Sequence, residues 1–167
     1  YLYCVTEVQS LYQHINIIAP NIRSGGGLEL LEYLLEYINN VHKKVTVKVY
    51  VDSSILSIVE KKNREVIYLT GRLKKIRLFC KKINNGLYFG NLPPLVKTTN
   101  SMVYFHNPHI VARFSVLFQR SSFSFFSKYI LQKYYIKIFL KNVDSFACQN
   151  IRMKKNFMIV FNYNKVD

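Results

Sequence analysis

The spacing of apolar residues changes abruptly near residue 28. Upstream, residues 15–19 (INIIA) form a short, nearly continuous apolar run, followed by Pro20, Asn21 and then Gly25, Gly26 and Gly27 in succession. Downstream, Leu28, Leu31, Leu34, Leu35 and Ile38 recur at helical spacing. The pattern predicts a strand over 15–19, a glycine loop, and a helix over 28–39. Glu29, Glu32 and Glu36 fall opposite the leucines, where helical spacing makes a solvated face.

The same alternation continues along the chain. VTVKVYV at 45–51 is β-branched and predicts a second strand, with Asp52, Ser53 and Ser54 capping a short helix that runs through Val59. A third strand is expected over 66–69, closed by Thr70 and Gly71. Residues 72–83 read as a basic amphipathic helix with an apolar seam of Leu73, Ile76, Cys80 and Ile83, stopped at Asn84-Asn85-Gly86. A brief strand at 87–89 leads into the loop 90–94 (GNLPP), since neither proline fits a helix interior. A buried strand is expected at 101–105, then helices at 110–118 and 125–140. The second of these is basic, with Ile130, Tyr134 and Ile138 along one side and Lys133, Lys137 and Lys141 on another. A strand at 143–147, a helix at 150–156 and a last strand at 158–160 complete the reading. Strands alternating with helices through short connections imply an α/β fold, a Rossmann-like open parallel sheet with helices on both faces. Residues 1–14 carry no consistent period, so one domain is expected over 15–167.

Composition narrows this picture. At 167 residues the chain suits one domain with a real core, and 50% hydrophobic residues argue against disorder. It opens on Tyr1 rather than Met, as a piece of a longer protein would. No apolar run approaches the roughly 20 residues that cross a bilayer. No signal-peptide pattern is present either, so a cytoplasmic location is expected, with contact at the inner membrane face. The 24 Lys+Arg against 9 Asp+Glu, a net +15, favour polyanionic or phosphorylated partners. An AT-rich coding bias, which raises Lys, Asn, Ile, Tyr and Phe together, would give the same balance, so charge alone does not decide function. Cys4, Cys80 and Cys148 are far apart, form no C-x-x-C, and are expected to be buried thiols in a reducing compartment. No metal-ligand spacing is visible, and neither metal nor resident cofactor is expected.

Two places carry candidate chemistry. A strand, a glycine turn and a helix N-terminus let backbone N–H groups meet an anion. The spacing is neither G-x-G-x-x-G nor a Walker loop, and it is equally compatible with a tight turn. The second place is His106-Asn107-Pro108-His109, just past the expected strand 101–105, where open parallel sheets bind ligands.

Taken in order, several pieces resemble the N-terminal, acceptor-side domain of retaining glycosyltransferases of family 4, which have the GT-B fold. They are IAPNIRSGGGLELLEYLL, GNLPP ahead of a strand, VYFHNPH, and VDSFACQNIRMKKNF. The last is similar to that family's Asp-x-x-x-x-Gln-Ser/Thr-x-x-Met-Lys segment. The resemblance spans nearly all of 16–167. It implies a hexosyltransferase that moves a sugar from a nucleotide-sugar to a glycan or lipid-linked acceptor, as in lipopolysaccharide or other cell-surface polysaccharide synthesis. Transfer would be a front-face substitution in which the leaving diphosphate is stabilised electrostatically, with no metal required. Carried over residue by residue, the resemblance makes Gly25, Gly26 and Gly27 the donor-diphosphate loop and His106 the catalytic histidine near the reacting sugar. Asn107 is a plausible hydroxyl partner, and Arg23 is a charge-based candidate to neutralise a phosphate. The donor-binding half, with its paired glutamates, lies outside the resemblance. The chain alone is therefore expected to be inactive, needing a donor half in a longer or separate chain. The alternative is a non-enzymatic basic module binding anionic membrane or nucleic acid. No nucleic-acid motif accompanies the 13 Tyr and 12 Phe, which fall mostly in apolar stripes, so no nucleic-acid partner is expected. A dinucleotide-binding enzyme is disfavoured because the glycine spacing is wrong, although Asp52 does end a strand.

Overall fold

Among the described residues six strands carry the fold, and all pair in parallel. The computed structural model describes residues 14–41, 45–60, 65–112 and 123–162. The strands are β1 (His14–Ala19), β2 (Thr46–Asp52), β3 (Glu65–Leu69), β4 (Gly86–Phe89), β5 (Met102–Phe105) and β6 (Ser145–Cys148). Their order is β3-β2-β1-β4-β5-β6. The chain builds outward from β1 to β3, then returns to pair β4 on β1's other side. The carboxyl ends of β1 and β4 thus flank a topological switch point, where open α/β sheets hold ligands.

The helices are α1 (Gly26–Val41), α2 (Leu56–Glu60), α3 (Arg72–Phe79), α4 (Phe123–Phe139) and α5 (Ile151–Phe161). Alternation along the strands sorts them into two layers. Ile17, Ala19, Val47, Val49, Val51 and Phe89 pack with Leu31, Leu34, Leu35 and Ile38 of α1 and Val59 of α2. Ile18, Tyr88, Val103 and Phe105 point the other way, against Leu78 and Phe79 of α3, Ile136 of α4, and Met153 and Phe157 of α5. Ile17, Ile18 and Ala19 are all essentially inaccessible, as a central parallel strand covered on both faces must be. The expected α/β sheet with helices on both faces is therefore present.

Several expected elements differ. Residues 158–160 belong to α5 rather than to a strand, because Met153, Phe157 and Phe161 recur every four residues and bury one helical stripe. Phe157 lies 4.6 Å from Phe105 and 4.4 Å from Phe146 between ring centroids, which pins α5 to β5 and β6. In place of a helix beginning at 110, Pro108–Val111 is a single 3-10 turn capped by Asn107, and 113–122 lie outside the described residues, as do 1–13. The strand expected at 143–147 starts at Ser145, because Val143 and Asp144 turn the chain and Asp144 Oδ2 accepts from Ser101 N at 2.9 Å. α3 ends at Phe79, with Cys80 as its exposed C-cap rather than a buried thiol. Cys148 is half-buried, and burial, opposed by nearby Lys154, pushes its thiol up to about 12.

On both basic helices much of the apolar seam faces solvent. On α3, Leu73 and Ile76 are exposed, while Leu78 and Phe79 are buried and Lys75 turns inward. On α4, the inward positions are Tyr129, Lys133 and Ile136, and Tyr134 and Ile138 face solvent. Lys133 is tolerated inside because its ammonium donates to the Ala112 carbonyl; burial still lowers its pKa.

Candidate functional site at the sheet switch point

The β1–α1 loop is built to place glycine backbone beside the end of β5. Gly25 adopts φ +66°, a left-handed conformation that disfavours any side chain. Its carbonyl accepts from Leu28 N at 2.9 Å and Glu29 N at 3.3 Å, opening α1 two residues before the first leucine. Gly26 and Gly27 occupy the first turn, where helical geometry leaves backbone N–H groups without intrahelical acceptors. A Cβ on Gly27 would lie 3.1 Å from His106 Nε2 and 3.1 Å from Ile22 Cδ1, whereas one on Gly26 would meet open space. The glycine loop and His106, 79 positions apart in the chain (106 − 27), are thus in contact.

His106 is held by a residue from a third strand end. Asn91, just past β4, is buried at 8% exposure in a left-handed conformation with φ +70°. Its Oδ1 accepts from His106 N at 2.8 Å and from Asn107 N at 3.0 Å. Its Nδ2 lies 3.4 Å from His106 Nε2. The imidazole stacks near Phe89 (centroids 5.7 Å) and Tyr104 (6.2 Å). Among the described residues His106 Nδ1 has no hydrogen-bond partner, although the atom is buried. Burial lowers the His106 pKa, so the ring is neutral at physiological pH. A neutral imidazole at a sheet switch point, beside a helix N-terminus, can donate one hydrogen bond and offers no fixed charge.

The other two predicted residues have structural ties of their own. Asn107 Nδ2 donates to Tyr129 Oη at 3.1 Å, and its Oδ1 accepts from His109 N at 3.0 Å. That leaves the carboxamide one amide hydrogen and one lone pair for a ligand. Arg23 Nε donates to Asp52 Oδ2 at 3.1 Å, tying the glycine loop to the end of β2, while the side chain remains 65% exposed. The same oxygen of Asp52 pairs with the Lys75 ammonium, and its Oδ1 accepts from Ser54 N at 2.9 Å. Burial alone would raise the Asp52 pKa. The hydrogen bonds from Lys75 and Ser54 outweigh it and hold the carboxyl well below its ordinary value.

No protein-family model, curated protein or solved structure matches this chain. The site therefore stands on its geometry. Asn91 and Lys75 were not singled out in the sequence, although Asn91 lies within the quoted GNLPP piece. An asparagine directly after a strand, at a place that tolerates left-handed backbone, is the signal it left. In the dinucleotide reading an acidic residue ending β2 would be free for a ribose, yet here Asp52 is bound by Arg23 and Lys75. Among the described residues no group of three or more His, Cys, Asp or Glu could hold a metal ion. No described helix is long and apolar enough to cross a membrane.

Proposed function

We propose that this chain is the acceptor-side domain of a retaining glycosyltransferase that uses a nucleotide-sugar. The observation that carries the reading is the contact between Gly27, in the first turn of α1, and the His106 imidazole, across the switch point between β1 and β4. A diphosphate at the α1 N-terminus would meet backbone N–H groups and the positive end of the helix dipole. The sugar attached to it would then lie within reach of the strand end that carries His106. As the glycosidic bond to the diphosphate breaks, negative charge grows on the leaving oxygens, and the loop is preorganised to meet it. The acceptor hydroxyl's proton passes to the departing diphosphate, so no side-chain base is needed from this domain. Donor groups outside this chain would complete the site.

The reading is tested by titrating nucleoside diphosphates and nucleotide-sugars into the 15N-labelled protein. The expected amide shifts cluster at Gly25, Gly26, Gly27 and His106, with saturation in the millimolar range for half a site, about −4 kcal/mol of binding. Shifts confined to the basic helices, or none with any nucleotide, would count against it.

A second observation favours a lipid-linked acceptor and an anionic membrane surface. The helix layer formed by α3, α4 and α5 leaves Leu73, Ile76, Leu131, Tyr134, Ile138, Ile151 and Ile159 more than half exposed. Exposed Arg72, Lys74, Arg77, Lys128, Lys137 and Lys141 lie on the same helices or directly after them. Between α4 and α5 a hollow of about 120 Å³ is lined by Lys133, Tyr134, Lys137, Val160 and Phe161. Apolar positions rimmed by cations match the boundary between headgroups and acyl chains. The protein is expected to sediment with vesicles containing phosphatidylglycerol and to stay in solution with phosphatidylcholine alone. Replacing Leu131, Tyr134 and Ile138 together with serine should weaken that binding about tenfold or more, since each loses apolar area that would be buried. Equal binding by the triple variant would remove the membrane from the reading.

A further inference from the structure

We propose that Asn91 is a positioning residue whose carboxamide fixes His106 as the Nδ1–H tautomer, so that the ring meets its ligand as a hydrogen-bond donor and not as a base. Two backbone N–H groups, those of His106 and Asn107, converge on one side-chain atom of Asn91 at 2.8 and 3.0 Å. Only a carbonyl oxygen can accept both, which determines how the amide is turned. Its NH2 group must then face His106 Nε2, 3.4 Å away. An amide NH2 has no lone pair to offer. A proton on Nε2 would set donor against donor inside a half-buried pocket, an arrangement with a cost and no compensation. The long separation makes the favourable contact weak; selection comes from the repulsion in the alternative tautomer, set against the cost of an Nδ1–H that stays buried without a partner until an acceptor binds.

With Nε2 unprotonated, the proton of the neutral ring sits on Nδ1. That atom is buried and has no hydrogen-bond partner among the described residues. Stacking near Phe89 and Tyr104 limits rotation of the ring, and Gly27 contributes no side chain at its Nε2 edge. The Nε2 lone pair a general base would need faces the Asn91 NH2, and the ring's N–H lies on the buried Nδ1 edge, which an acceptor must enter the pocket to meet. Such a group suits a sugar hydroxyl or a phosphate oxygen, both of which accept. The left-handed backbone at Asn91 is what brings the carboxamide over the strand end.

This role rests on the reading of His106 as the group at the reacting sugar, but its test needs no substrate. In long-range 1H–15N spectra of the histidine rings, with His106→Ala used for assignment, wild-type His106 is expected to show a protonated Nδ1 and an unprotonated Nε2. Asn91→Asp keeps the oxygen that accepts both backbone N–H groups but places a second oxygen against Nε2, so the proton is expected to move to Nε2. Asn91→Gly retains the left-handed backbone and should give a mixture of tautomers. In the complete enzyme Asn91→Asp should lower kcat about tenfold or more with KM nearly unchanged. A wild-type ring protonated at Nε2, or an Asn91→Asp ring with the wild-type pattern, would overturn the proposal. The wild-type spectrum decides even if a variant fails to fold. The expected tautomer without nucleotide binding would instead sink the glycosyltransferase reading and leave this one standing.

Discussion

Under the proposed glycosyltransferase reading, replacing His106 with alanine is expected to lower kcat of the complete enzyme about 10²–10³-fold, the usual consequence of removing one preorganised donor. The fold should survive, because the bond that secures the strand end runs from the His106 backbone N–H to Asn91 Oδ1, not from the imidazole. Alanine keeps that N–H. What it loses is stacking near Phe89 and Tyr104, about 0.5–1.5 kcal/mol. The urea midpoint should therefore move little while turnover collapses. If the ring contacts the sugar mainly as charge develops, kcat and kcat/KM fall together; if it only binds the ground state, KM rises and kcat holds. His106→Asn, whose amide nitrogen lies the same three bonds from Cα as Nδ1, should recover part of the loss. Unchanged kcat in the alanine variant would refute the assignment of His106, whatever the fold does.

How far the sequence carried can be judged element by element. The switch of period at Leu28 was sufficient for the first unit: Leu31, Leu34, Leu35 and Ile38 are all buried on α1. The short connections and β-branched runs were sufficient for the parallel sheet. Reading failed where local chemistry overrode periodicity. The Met-Ile-Val trio at 158–160 suggests a strand when taken alone, but Met153, Phe157 and Phe161 commit it to α5. On α3 and α4 the sequence shows an apolar seam but not whether it faces the core or a membrane surface. Lys75 and Lys133 turn inward, finding acceptors at Asp52 and Ala112, contacts no window of local sequence reveals. At the site, the glycine loop and His106 were each legible as strand-end features. Their contact was not, since it depends on strand order. Asn91 was the least visible, because its work is done by one oxygen that two backbone N–H groups share.

Asp52→Asn is expected to destabilise the fold by about 2–3 kcal/mol, read as a lower urea midpoint at unchanged slope. Asparagine is nearly isosteric and its oxygen can still accept from Ser54 N, so the cap of the following turn is retained. The loss falls on charge. Arg23 is 65% exposed and returns to water cheaply, but the Lys75 side chain is 12% exposed and is left as a buried ammonium without its counterion. Adding Lys75→Met to Asp52→Asn should therefore recover much of the loss, giving a double-mutant coupling well above the error of the measurement. The pH dependence follows from the same contacts. The folded-state pKa of Asp52 lies below its ordinary 3.8, so the folded carboxylate binds its proton later than the unfolded one. The stabilisation is fully present above about pH 5 and is lost as pH falls through 3.8 toward the lower folded value. Wild type should thus lose stability steeply below about pH 4, and Asp52→Asn should show a flatter acid limb, since it lacks the group that titrates. Equal stability of wild type and Asp52→Asn at pH 7, with parallel acid limbs, would mean that the Arg23–Asp52–Lys75 cluster does not hold the glycine loop to β2. Arg23 would then be free to turn toward a bound phosphate, and its assignment as a structural tie would have to be given up.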